Sequence, residues 1–235
     1  MRLHRNSVPL SKERHARFSL KQPLGYGFAR EINSAPIVTA EFDKVAHDHP
    51  IVFGPATGDA VAPMAILGLR DDENFCVSGN GEWTGGYIPG FLRQYPFVLA
   101  RPGEEQQFVV CIDETAFDDG GPGPRIFDEE GGETEQLKQA LSFLKEYHRQ
   151  SLQTLEFGRA LKSAGLLQRM VVRYGADHKD QTLGGFEVID RQKLAELPAA
   201  EVERFHRAGW LELAYLHLHS LDNVARLTRA VGTGR

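Results

Sequence analysis

The apolar positions of this chain follow two patterns. Through the first half they form short runs between glycine, proline and aspartate clusters: Tyr26–Ile32, Pro36–Thr39, Ile51–Phe53, Met64–Leu69, Phe75–Val77, Phe97–Ala100 and Gln107–Ile112. Short apolar segments closed by turn-forming residues predict strands. Arg70–Asn74, with three consecutive acids before Asn74, predicts an exposed hairpin turn between two of them. Glu41–Asp48 predicts a short helix that Pro50 stops, because the residue before a proline is pushed out of the α region. Tyr87–Gln94 predicts another helical turn, with Pro89 tolerated near its start.

After residue 134 the period changes. Leu137, Leu141, Leu144, His148, Leu152, Leu155 and Leu161 recur at three- and four-residue steps, predicting an amphipathic helix of roughly seven turns. Thr134 is its expected N-cap and Gly165 its expected stop. Met170–Tyr174 and Gly185–Ile189 predict two strands joined by a polar loop, Gly175–Gly184. A helical pair follows, Ala199–Ala208 and Trp210–Ala230, bent at Gly209. The expected fold class is α+β. A mostly antiparallel, β-rich N-terminal two-thirds precedes the long amphipathic helix, two further strands and the C-terminal helical pair.

Of the 235 residues, 41% are hydrophobic and 25% charged, which excludes a disordered chain. No apolar run reaches the roughly 18 residues of a membrane span, and no secretory signal opens the sequence. Cys76 and Cys111 make neither a disulfide framework nor a zinc pattern. These features predict a cytoplasmic globular protein. The net charge of −5 argues against nucleic acid as a partner. Its distribution is uneven: residues 1–22 hold six Lys/Arg against one acid, whereas residues 104–135 hold eleven acids against Arg125 alone. The expectation is a basic arm, 1–22, a single domain, 23–235, and a flexible acidic linker at 118–132, where the run DDGGPGPRIFDEEGG has little to bury.

Three groups of residues could carry chemistry. His47, Asp48 and His49 end the short helix, where histidines commonly face water, and no HxxxH, HExxH or CxxC nucleates a metal site. Neither a metal nor a cofactor is predicted on these grounds; iron or flavin association stays open. His217, Ser220 and Asn223 are three apart on one face of the terminal helix, next to apolar positions. Partly buried polar groups there need partners, so the stripe either pins the helix or contacts a ligand. The block Trp83–Phe97, reading WTGGYIPGFLRQYPF, combines aromatics with Arg93, glycines and prolines. Such a block builds either core or a recognition pocket, and Tyr95-Pro96 within it is a candidate cis bond.

Several segments together resemble the bacterial SapC family, named after an S-layer-associated gene product. They are Pro9-Leu10 followed by His15, then Tyr26–Glu31, Pro36–Phe42, Pro50–Phe53, Ala65–Asn74, Gly81–Phe97, Cys111–Glu114 and Gly185–Leu227. The resemblance implies no catalytic residue or cofactor. It does imply an accessory role beside oxidative-modification or uptake components, because genes of this type are often found beside genes for flavin-dependent halogenase-like proteins and TonB-dependent receptors. The leading expectation is a non-catalytic binding or accessory protein that recognises a partner protein, peptide or small ligand. Trp83, Tyr87, Arg93, Tyr95, His217, Ser220 and Asn223 are its candidate contacts. The alternative is an iron-dependent oxygenase-like or hydrolytic enzyme whose site assembles from distant segments, such as His49 or His15 with Asp113 and His217.

Overall fold

A computed structural model describes residues 3, 6–56, 58, 60–100, 108–175 and 181–232, the last three of these by backbone alone. Arg2 and Arg5 of the basic arm, Gln107 of an expected strand and residues 176–180 of the polar loop lie outside the described residues. In chain order the elements begin with β1 (Ser7–Pro9), α1 (Lys12–His15), β2 (Phe18–Leu20), β3 (Ser34–Pro36), α2 (Phe42–Asp48), β4 (Ile51–Pro55) and β5 (Val61–Ile66). Next come α3 (Gly90–Arg93), β6 (Phe97–Ala100), β7 (Val109–Asp113), β8 (Phe117–Asp119) and α4 (Glu135–Ser163). The chain ends with β9 (Leu167–Tyr174), β10 (Gln181–Ile189), α5 (Arg191–Ala195), α6 (Ala199–Arg207), α7 (Trp210–Ser220) and α8 (Val224–Gly232).

The strands form an antiparallel α+β architecture. Its main sheet has the order β3-β5-β4-β10-β9, and smaller sheets run β1-β7-β6 and β2-β8. β4 is central because both of its faces are apolar, as a strand covered on both sides requires. Ile51 and Phe53 point into one cluster with Phe157, Leu161, Phe205 and Ala214. Val52, on the opposite face, meets Ile66, Val172, Phe186 and Val188.

α4 is the strut of the fold. The Thr134 hydroxyl caps it by accepting the Leu137 N–H, and Gly165 ends it at φ +65°, where a glycine carries no steric penalty. Its 29 residues span roughly 44 Å. Leu137 and Leu144 at the first end pack with Phe97, Ile112, Phe117, Ile126 and Phe127. Phe157, Ala160 and Leu161 at the other end pack under the main sheet.

Three expectations are corrected. The acidic segment 118–132 is packed against the basic arm. β2 pairs with β8 from Phe18–Asp119 to Leu20–Phe117, the Leu20 N–H bonds Pro124 O, and Ile126 and Phe127 are buried. The physical reason is that each charged segment hides apolar anchors, and the two charges are complementary. Arg14 pairs with Glu114, Arg17 with Asp119 and Lys21 with Asp118. Secondly, Tyr26–Ile32 and Phe75–Val77 are not strands: the first holds a 3-10 turn at Gly27–Ala29, and the second contributes one bridge, Val77 to Trp83. Arg70–Asn74 therefore makes a turn without a hairpin. Thirdly, the terminal helix is interrupted by a 3-10 turn, Leu221–Asn223, where the Ser220 hydroxyl bonds back to His217 O. Among the described residues, no helix is long and apolar enough to cross a membrane.

Candidate functional site

Glu41 is the centre of a buried polar network. It stands where a 3-10 turn hands over to α2, and its side chain reaches back to accept the Val38 N–H at 3.1 Å, as a capping carboxylate does. Its other oxygen accepts the Gly90 N–H at 2.6 Å and the Tyr87 hydroxyl at 2.8 Å. A buried carboxylate persists only when paired and hydrogen-bonded, and here the residue is 4% exposed with its acceptors filled. Gly90 has to be a glycine: a Cβ there would lie 2.9 Å from both the Glu41 oxygen and the Tyr147 ring.

Arg93 closes the network from outside. Its Nη2 donates to the Tyr87 hydroxyl at 2.7 Å and lies 3.5 Å from Glu41, while Nε donates to Ile88 O. The guanidinium sits 5.3 Å from the centroid of the Tyr87 ring and 5.1 Å from that of Phe143 on α4, within cation–π range. Nη1 has no partner among the described residues, and the side chain is 40% exposed. Burial, with Glu41 beside it, pushes the Tyr87 hydroxyl up to about 12. That hydroxyl is a donor to Glu41 and no general base at neutral pH.

The backbone of Tyr87 is held by the end of α2. Asp48 accepts the Tyr87 N–H at 2.6 Å, and His49 Nε2 donates to Tyr87 O at 2.9 Å. His49 is buried, and burial holds its pKa below the ordinary imidazole value. Of the two histidines expected to face water only His47 is exposed; His49, like Asp48, is a structural clamp. Cys76 is packed nearby, and burial, with Asp48 second, pushes its thiol up to about 12, which leaves it unreactive.

The aromatic block divides in two. Tyr87 and Arg93 face Glu41 and Phe143, whereas Trp83 and Tyr95 belong to another stack. Trp83 lies edge-on to Tyr26 and donates its indole N–H to Gly86 O. Tyr95 is stacked on Phe28 at 3.9 Å, and its bond to Pro96 is cis. Each of the four side chains keeps some exposure.

The polar stripe does not reach the surface. Ser220 and Asn223 are buried and partnered: the Ile51 N–H donates to Ser220, and Asn223 donates to Ala46 O and accepts from Arg226 Nη1. The stripe stitches the C-terminal helices to α2 and β4. His217 is fully buried, stacked on Phe53 at 4.9 Å, with no hydrogen-bond partner for either ring nitrogen among the described residues.

Burial holds the His217 pKa down at about 3. An unfolded chain binds that proton near pH 6.5, so stability drops as pH falls from there towards 3, by up to about 1.4 kcal/mol per unit. His217→Phe keeps the ring and removes the orphaned nitrogens. It should raise stability at pH 7 by about 1–3 kcal/mol and flatten the decline between pH 6 and 4. Urea midpoints across that range would test this; an unchanged slope would mean that His217 is protonated in the fold.

The residues of the expected enzyme site do not converge. His15 meets Glu114 rather than Asp113, through Nε2 at 3.1 Å. Burial raises the Glu114 carboxyl, but hydrogen bonds from Arg14 and His15 outweigh this and hold it below the ordinary range. Asp113 accepts from the Thr115 N–H and hydroxyl, His49 is bound to Tyr87, and His217 is in the core. No group of three or more His, Cys, Asp or Glu among the described residues could hold a metal ion.

Sequence reasoning missed Glu41, Phe143 and Tyr147. The only local signal was an acid at a helix start, which the helix dipole alone would explain. The family model described as SapC matches residues 10–227 of the chain. No curated protein and no solved structure matches it.

Proposed function

The chain belongs to the SapC family, and from that premise we propose that it is a non-catalytic, cytoplasmic recognition protein whose Arg93 face binds a carboxylate on a partner protein or peptide. The observation that supports this is the Arg93 guanidinium, fixed beside two aromatic rings and anchored to Tyr87, with one nitrogen unpartnered among the described residues. A guanidinium held this way loses little entropy on binding and presents a planar fork suited to a carboxylate. Arginine flanked by aromatics is also the composition of interface hot spots. Trp83 and Tyr95, on their separate stack, supply a second apolar contact zone. On this reading the chain has no metal or cofactor of its own, and any chemistry belongs to the partner. An oxidative-modification or uptake component is the partner class that the family resemblance implies.

Arg93→Ala is the direct test, because the side chain is partly exposed and its pairing with Glu41 is long. Affinity capture from the host, quantified by mass spectrometry, should show partner recovery falling about tenfold or more, the scale of a hot-spot arginine. The urea midpoint should barely move, since exposed ion pairs contribute about 0–1 kcal/mol. Full capture by Arg93→Ala would defeat the reading. Alanine at Tyr87 is a poorer probe, because it strips the buried Glu41 of a donor.

A further inference from the structure

The main sheet opens between β4 and β10. Leu183 pairs with Val172 and Phe186 with Met170, so two residues of β10, Gly184 and Gly185, stand opposite Val171 alone. Such a bulge bends and twists its strand. Gly185 takes φ +85°, a conformation that side-chain-bearing residues rarely adopt. β10 then meets β4 at one pair, Glu187 with Phe53. Where the strands part lies a cleft of about 560 Å³, a volume in the range of small-molecule sites.

The cleft is apolar with a cationic rim. Phe53 and Val61 are its buried apolar walls and Val171 an exposed apolar edge, whereas Phe186 and Met170 line it from strands whose side chains there turn to the opposite face of the sheet, towards Val52. Arg169, exposed on β9, lines the opening with no partner for its guanidinium among the described residues. It stands opposite Glu187 in the ladder, yet no ion pair joins them. Lys162, from the last turn of α4, also lines the cleft, and among the described lining residues the charged ones are Lys162, Arg169 and Glu187.

We infer that this cleft binds a small amphipathic monoanion, an apolar chain ending in a carboxylate, with Arg169 holding the charged end. The apolar walls account for the chain, since burying each methylene there removes apolar area from water. The guanidinium accounts for the head group, because it offers a carboxylate two parallel N–H bonds. This site is separate from the Arg93 face and does not depend on the function proposed for it.

Calorimetric titration of the full chain with decanoate, decanol and decyl phosphate tests the inference. Decanoate should bind saturably at one site, more tightly than either comparison ligand. Arg169→Gln should weaken decanoate about tenfold and leave decanol unchanged, the loss expected when a charge-assisted bond is removed. Val171→Trp, at an exposed position on the rim, should weaken both by narrowing the cleft. Both substitutions fall on the exposed side of a strand and should leave the urea midpoint in place. No saturable uptake, full-strength decanoate binding by either variant, or tighter binding of the phosphate would overturn the assignment.

Discussion

Replacing Glu41 by alanine should cost about 3–5 kcal/mol of unfolding free energy, the range seen when one partner of a buried charged network is removed. The substitution leaves the N–H groups of Val38 and Gly90 and the Tyr87 hydroxyl without their acceptor, in a site where the Glu41 side chain is 6% exposed. Each orphaned buried donor carries a desolvation cost of about 1–3 kcal/mol. Glu41→Gln should fall between wild type and alanine. Its oxygen can serve Gly90 and Tyr87, but its amide then faces the Val38 N–H donor to donor. Urea denaturation at neutral pH measures both. A loss below about 1 kcal/mol for the alanine variant would mean that water replaces the carboxylate, and that the network does not fix Arg93.

Gly158→Ala separates local propensity from packing more sharply. In the interior of α4, alanine should favour the helix over glycine by about 1 kcal/mol. The structure predicts the opposite sign. A Cβ on Gly158 would sit 2.0 Å from Val61 O, a backbone atom of β5. β5 is paired with β4 from Ile51–Ala65 to Pro55–Val61 and cannot retreat without breaking that ladder. Overpacking of this kind costs about 1–3 kcal/mol and sometimes more, so a net loss of about 2–3 kcal/mol is expected. A stabilised variant in urea denaturation would show that α4 does not approach β5 this closely.

What could be read in the sequence was what depends on neighbours along the chain. The boundaries of α4, the stop at Asp48 before Pro50 and the bend at Gly209 follow from period, cap and φ preference, which act within a turn or two. Glu41 was invisible because its partners Tyr87 and Arg93 are 46 and 52 residues away. The spacing of His217, Ser220 and Asn223 correctly implied one face. It could not say which way that face points, and the answer lies in Ile51, 169 residues before Ser220. Averaging over composition also misled. Residues 118–132 look unfoldable as a set, yet Ile126 and Phe127 are buried among them and β8 pairs with β2. Read separately, the basic arm and the acidic segment each seemed to want only water; their complementarity appears when both are placed together.

That docking has a temporal side. β1 and β2 find their strands in β7 and β8 across about a hundred residues, the separation of Arg14 from Glu114. A ribosome adds roughly 5–20 residues each second, so the arm emerges some 5–20 s before the segment that completes it. Through that interval Val8, Leu10, Phe18 and Leu20 have none of their eventual neighbours from that segment, and the charges at Lys12, Arg14, Arg17 and Lys21 flank them as gatekeeper residues flank aggregation-prone apolar stretches. On this account Arg14, Arg17 and Lys21 have two successive uses, first solvating the waiting stretch and later pairing with Glu114, Asp119 and Asp118.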